Sequence, residues 1–211
     1  IEIVFEVNNN LKKHFDSLIL KKLGNYFGFN LSYFNKIIRI NSRSYDDFYN
    51  KKIKLSNKYI SFLDSGFDSG DRVRIEGKPT EFQRREYYFL LKEILIRLSK
   101  IYKKKIIINA HPKTKIRILK KYLKNFKIVK FQTKDFILKS KVVVFHESSS
   151  INWAVILKKN ILCLSNKKNL GLYFENLTEN FSKNLNIKNH CMNEIKNKNN
   201  KKIIKIIDNS N

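Results

Sequence analysis

Cysteine is scarce in this 211-residue chain, and its two copies, Cys163 and Cys191, have neither metal-ligand spacing nor the number for a disulfide framework. Cys163 sits in an apolar run, where a free thiol acts as a small hydrophobe. The four histidines are scattered and the carboxylates do not cluster at ligand spacing, so no metal is expected. The sequence also lacks a Gly-x-Gly-x-x-Gly fingerprint and a glycine-rich loop ending in Lys-Ser or Lys-Thr, which argues against dinucleotide cofactors and nucleoside triphosphatase chemistry. Ser149 lacks the flanking glycines of a hydrolase nucleophile elbow. No run reaches the roughly 20 apolar residues of a membrane-spanning helix, and no cleavable leader is visible. A soluble or peripheral protein of the cytoplasm is expected, with no cofactor.

Hydrophobic residues make up 42% of the chain, enough for one full domain plus a remnant. Beginning at Ile1, with Met192 its only methionine, the chain reads as a fragment whose amino end lies upstream. Lys and Arg number 44 against 18 Asp and Glu, a formal charge of +26 that invites a nucleic-acid reading. The excess is mostly Lys, however, spread along the chain among Asn and Ile. Compositional drift accounts for that pattern better than a polyanion-binding face, so nucleic acid is not the expected partner. Attraction to the inner face of an anionic membrane is a further reading, at about 1 kcal/mol per well-placed Lys.

Residues 1–55 show no sustained alternation of elements and read as the remnant of a preceding domain and a linker. Residues 56–190 read as an α/β domain, in which short apolar runs at 59–63, 105–109, 127–131, 142–145 and 161–164 alternate with helical stretches. Strands apolar on both faces are covered by helices on two sides, which predicts a parallel sheet. The longest helix starts at a capping box, Thr80 to Gln83, and carries Tyr87, Leu90, Leu91, Ile94, Leu95, Leu98, Ile101 and Tyr102 on one face. Shorter helices are expected near 114–123, after Thr133, near 149–157, and within 171–186. Residues 191–211 read as a low-complexity Lys/Asn-rich tail, loosely held.

Ligands of open parallel sheets bind at the carboxyl ends of strands, so the residues just after each run are the candidates. Asp64 follows the first run and is the best-placed carboxylate for a sugar hydroxyl or a proton transfer. His111-Pro112 follows the second, Pro112 biasing the direction in which the imidazole leaves the strand. Thr133 follows the third and is accounted for either as a helix cap or as a contact to base or ribose. His146, Glu147, Ser148, Ser149 and Ser150 follow the fourth. Three serines at a helix start are more than a cap requires and suit a phosphate, while Glu147 suits ribose hydroxyls or the sugar.

Phe62-Leu63-Asp64, Ile108-Asn109-Ala110-His111-Pro112, and Val144-Phe145-His146-Glu147-Ser148-Ser149-Ser150-Ile151-Asn152-Trp153-Ala154-Val155 followed by Lys158-Lys159-Asn160-Ile161 carry a resemblance. The span they cover, about half the chain, resembles the C-terminal, donor-binding domain of GT-B glycosyltransferases of bacterial surface polysaccharide synthesis. The His-Pro pair with a downstream serine run is similar to that of sialyltransferases and polysialyltransferases. The resemblance implies a Rossmann-like parallel sheet with helices on both faces, and a nucleotide-activated sugar, CMP-linked, held at its phosphate by His111 and Ser148 to Ser150. It also implies a glycan or lipid-linked acceptor. Asp64-Ser65-Gly66 departs from the acidic-acidic-Gly motif that supplies those families' base from the preceding domain, so the base is expected upstream. The alternatives are a sugar-nucleotide epimerase or polyol-phosphate transferase of the same fold, a basic nucleic-acid-binding module, and a non-catalytic scaffold.

Overall fold

A computed structural model of the protein describes residues 55–210. The reading of residues 1–55 as a remnant and linker thus lies, Leu55 apart, outside the described residues.

The five apolar runs are strands: β1 (Tyr59–Leu63), β2 (Lys105–Ala110), β3 (Lys127–Lys130), β4 (Ser140–Phe145) and β5 (Asn160–Ser165). A short sixth, β6 (Asn189–Cys191), pairs with β5. The sheet order is β3-β2-β1-β4-β5-β6 and every pairing is parallel. This is a Rossmann-like α/β fold. The chain builds outward from β1 to β3, then returns to the opposite edge of β1 to lay down β4. Strand order therefore reverses between β1 and β4, and their carboxyl ends flank the crevice that such reversals create.

Side-chain alternation divides the core between the two faces of the sheet. Ile60, Phe62, Ile106, Ile108, Val142, Val144, Leu162 and Leu164 face one layer. Its main cover is α2 (Glu81–Tyr102), which buries Tyr87, Tyr88, Leu90, Leu91, Ile94, Leu95 and Leu98. At roughly 1.5–3 kcal/mol for each fully buried large apolar side chain, this helix is the largest single apolar contributor to that layer. Its capping box forms as the sequence predicts: the Gln83 N–H donates to Thr80 Oγ1 at 3.2 Å and the Thr80 N–H to Gln83 Oε1 at 2.9 Å. Tyr59, Ile107 and Val129 face the other layer with Phe136 of α4 (Thr133–Leu138), and α5 (Ile151–Ile156) packs against α4 and β4. The remaining helices are α1 (Gly70–Glu76), α3 (Ile116–Leu123), α6 (Lys167–Leu170), α7 (Leu172–Asn184), α8 (Met192–Asn197) and α9 (Asn200–Asp208).

The expectation of a loosely held tail at 191–211 is corrected. Met192, Ile195, Ile203 and Ile207 are all 1% exposed or less and join the same core layer as α2. Arg97 of α2 donates to the carbonyls of Ile195, Lys196 and Lys198, satisfying the open end of α8. Asn199 caps α9 by accepting the Lys202 N–H at 2.9 Å. The Lys/Asn-rich composition thus conceals a helix whose Ile203 and Ile207 lie one turn apart on a single buried face.

Among the described residues no helix is long and apolar enough to cross a membrane, and no group of three His, Cys, Asp or Glu side chains could hold a metal ion.

Candidate functional site

At the reversal point the chain leaves β1 for the α2 side of the sheet and leaves β4 for the α5 side. Between them lies a cavity of about 200 Å³, lined by Ser65, Ser69, Arg72, His111, Glu147, Ser148, Ser149, Phe174 and Phe181. Four residues chosen from sequence therefore come together there: His111 from the β2 corner, and Glu147, Ser148 and Ser149 from the β4 corner. Ser65 and Ser69 belong to the short polar loop that follows the first run, whereas Arg72 of α1 and the phenylalanines of α7 were not anticipated.

The β1 corner is held by Asp64, which does not itself line the cavity. Its carboxylate accepts the Gly66 N–H at 3.2 Å, the His111 N–H at 3.0 Å and the Thr114 hydroxyl at 2.7 Å. Asp64 is only 4% exposed. Burial raises its pKa, and these three bonds work against the rise. Both oxygens are engaged in joining the β1 and β2 corners, which gives Asp64 an architectural part beneath the cavity. Phe67, stacked on Tyr87 at 4.3 Å, pins the same loop into the core.

His111 and Thr114 close a tight turn, the Thr114 N–H donating to the His111 carbonyl at 2.9 Å, with Pro112 at the position that suits its fixed φ. Pro112 is exposed and outside the cavity lining. His111 Nδ1 accepts the Lys113 N–H at 3.2 Å, which leaves the ring proton on Nε2 as a donor. The ring lies against Gly66, where an added Cβ would stand 3.1 Å from Nδ1.

His146 is corrected from a binding residue to a core residue. It is 0% exposed; its Nδ1 donates to the Leu164 carbonyl at 2.7 Å, so Nε2 accepts the Tyr87 hydroxyl at 3.0 Å. Burial pulls its pKa down to about 4, and the ring is neutral at physiological pH. Thr133 is corrected as well. It is the first residue of α4 rather than the cap, which is Gln132, and it follows the edge strand β3, remote in strand order from the reversal. Ser150 does not line the cavity. At the start of the six-residue α5 the N–H groups of Ile151, Asn152 and Trp153 already donate to the carbonyls of Ser148, Ser149 and Ser150, so these three are not the free donors of a helix start. Ser148 and Ser149 reach the cavity from a turn.

The chain matches no protein-family model and no curated protein. Two solved structures of UDP-GlcNAc 2-epimerase from Methanocaldococcus jannaschii are similar to it. One, in complex with UDP-GlcNAc and UDP, is 16% identical with a TM-score of 0.41; the match covers 81% of this chain and 42% of that one. The other is 17% identical with a TM-score of 0.37, over 80% of this chain and 42% of that one. The match thus spans less than half the length of either.

Arg72 supplies the cavity's positive charge. It is 4% exposed, and it donates through Nη1 to the Gly77 carbonyl at 2.5 Å and through Nη2 to the Asn169 carbonyl at 2.8 Å, while stacking over Phe67. Its Nε is buried without a partner. Burial lowers its pKa, with Glu76 and Asp68 offsetting the loss. Glu147 is 8% exposed, and burial raises its carboxyl well above the usual range; the neighbouring Ser65 hydroxyl opposes this, while Asp64 adds to it. Cys163, beneath this corner on β5, is pushed up to about 12 by burial and by Glu147 and Glu175, which makes it an inert thiol.

Proposed function

We propose that this domain holds the phosphate-bearing part of a nucleotide-activated sugar in the crevice between β1 and β4, as the donor-binding part of a glycosyltransferase. The observation that carries the reading is the convergence of Arg72, His111, Ser148 and Ser149 on one cavity at the strand-order reversal. A fixed guanidinium, an imidazole N–H and hydroxyls are the donors that phosphate oxygens require. Phe174 and Phe181, which line the same cavity, are suited to the flat face of a base or sugar ring.

At about 200 Å³ the cavity is smaller than the roughly 300–1,000 Å³ typical of small-molecule sites. That volume suits a phosphate and its immediate attachments, with the rest of the ligand extending over the open crevice. In this reading the domain positions the donor and stabilises the departing nucleotide. The base that activates a glycan or lipid-linked acceptor is supplied by a facing domain.

Calorimetric titration of CMP, UDP, a CMP-sugar and a UDP-sugar tests the reading. Binding of at least one is expected, weakened roughly 10- to 100-fold in Arg72→Ala, the equivalent of a charge-assisted hydrogen bond at about 1.5–3 kcal/mol. Absence of heat with all four would sink it. Preference for the CMP pair would favour the sialyltransferase-like form, and incubation of a UDP-sugar followed by product analysis separates transfer from epimerisation.

A further inference from the structure

Three polar side-chain atoms around the candidate cavity are buried without a partner in hydrogen-bond geometry: Ser65 Oγ, Arg72 Nε and Glu147 Oε2, the Ser65 hydroxyl acting on the neighbouring Glu147 carboxyl without completing a bond to it. Buried polar atoms in folded proteins nearly always have partners, because each orphan costs roughly 1–3 kcal/mol. Three such atoms on residues lining one small cavity form a contact set suited to a ligand.

Their chemistry narrows what that ligand is. Arg72 Nε can only donate, and a serine hydroxyl can donate. Glu147 accepts as a carboxylate but donates through one oxygen as an acid. Its surroundings select the acid. It forms no ion pair among the described residues, and Arg72 is committed to backbone carbonyls and set among Glu76 and Asp68. From β1 the Asp64 carboxylate acts on Glu147 as a like charge, as Glu147 in turn acts on Tyr87 of α2 and on Cys163 of β5. Glu175 of α7, also shifted upward by burial, acts on the same Cys163. His111 lines the cavity from the β2 corner. A buried anion with a like-charged neighbour and no bonded cation is not sustained in such a place.

Resting on the nucleotide-sugar reading above, we propose that Ser65, Arg72 and Glu147 in its neutral acid form make a three-donor subsite for one phosphate group of the ligand, so that binding requires a proton on Glu147. A carboxylate holding a ribose diol would behave in the opposite way: affinity would hold or rise with pH, and an amide in its place would weaken binding.

The test is calorimetry on the full chain with a UDP-sugar, whose two phosphates each carry one ester and the shared anhydride linkage and so lack the monoester ionisation near pH 6. The titration covers the whole pH range over which the protein stays folded, because burial moves the Glu147 carboxyl well above the usual carboxylate range. Wild-type affinity is expected to be level at the acid end and to fall by up to about tenfold per pH unit above the Glu147 titration, with proton uptake approaching one per ligand on that limb. Glu147→Gln, which keeps a donor and cannot ionise, is expected to flatten the profile and to bind at least about tenfold tighter than wild type at the alkaline end. Wild-type proton uptake, measured in two buffers of different ionisation enthalpy, tests the same point should that variant fold poorly. Affinity that rises with pH, absence of proton uptake, or a folded Glu147→Gln that binds more weakly at every pH overturns the proposal.

Inorganic pyrophosphate separates this failure from that of the broader reading. If it shows the same difference between wild type and Glu147→Gln while no nucleotide or nucleotide sugar binds more tightly, the subsite stands and the nucleotide-sugar reading falls. No binding by any of these ligands at any pH overturns both.

Discussion

His111 and His146 occupy equivalent places, each one residue beyond a central strand of the same sheet, yet one lines the cavity and the other is a core side chain. Strand parity explains the difference. Val142 and Val144 face the layer covered by α2, and His146, two residues further on, continues that face into contact with Tyr87 and Phe62. On β2 it is Ile106, Ile108 and Ala110 that face this layer, which puts His111 out of phase with them and leaves it to the turn at the rim. Being next to a strand's carboxyl end is therefore insufficient for a binding role. The side chain must also be out of phase with the buried set.

The largest effect that would break this comparison is on stability. His146→Ala removes the partner of Tyr87 Oη and of the Leu164 carbonyl and opens a cavity in a fully buried site. The expected cost is roughly 2–4 kcal/mol, a fall in Tm of roughly 5–15 °C for a chain of this size. Ligand affinity of the folded fraction should be unchanged. His111→Ala is expected to do the reverse, moving Tm little and weakening phosphate-ligand binding about tenfold, as befits one lost hydrogen bond near 1.4 kcal/mol. Thermal melting and calorimetry on both variants check this, and a stable His146→Ala with lost binding would invert the assignment.

Acid titration provides the next contrast. His146 has its pKa depressed in the folded state to about 4. Between the unfolded value near 6.5 and that folded value, the unfolded chain binds a proton that the native ring refuses. Stability from this residue is therefore intact above about pH 6.5 and is lost as pH falls, up to roughly 3 kcal/mol by about pH 4. Glu147 and Asp64 act in the opposite sense. Their folded-state values are raised, so each binds its proton more readily in the native state, and that contribution fades as pH rises above the ordinary carboxylate range. Urea unfolding across pH in wild type, His146→Phe and Glu147→Gln resolves the two slopes. A Glu147→Gln variant that keeps the full alkaline decline would show that Glu147 is not its source.

Much of the fold is legible in the amino-acid order because the five main strands are continuous apolar runs and the Thr80–Gln83 box announces α2. The missed elements were hidden for specific reasons. β6 has three residues, too few for a periodic signal, and the pair Ile203 and Ile207 is submerged in Lys and Asn. Four cavity-lining residues were visible because they follow strands. Arg72 was not, since it stands on a seven-residue helix beyond the β1 corner and makes its bonds to Gly77 and, across 97 residues, to Asn169. One available signal was that arginine persists at only eight positions in a chain whose basic residues are overwhelmingly lysine. Several of these arginines, including Arg72, Arg84 and Arg97, hold multidentate or buried contacts that a lysine ammonium could not reproduce.

The finest way to sharpen the contrast between the two corners is Gly66→Ala. Gly66 has φ of +74°, which a side chain tolerates at a cost of roughly 1 kcal/mol. The new methyl would also stand 3.1 Å from both His111 Nδ1 and Ser69 Oγ. The imidazole is half-exposed and held by one backbone N–H, so it can yield where a core ring could not. The expected result is a small loss of Tm, about 2–4 °C for that cost, with a loss of phosphate-ligand affinity close to that of His111→Ala. Combining the two substitutions then separates causes. If Gly66→Ala acts by displacing the imidazole, it should weaken binding little further once His111 is gone, whereas independent effects would add in free energy. Additive losses would mean that Gly66 matters through the backbone at the β1 corner, and that the His111 ring is a neighbour of the ligand site without being its donor.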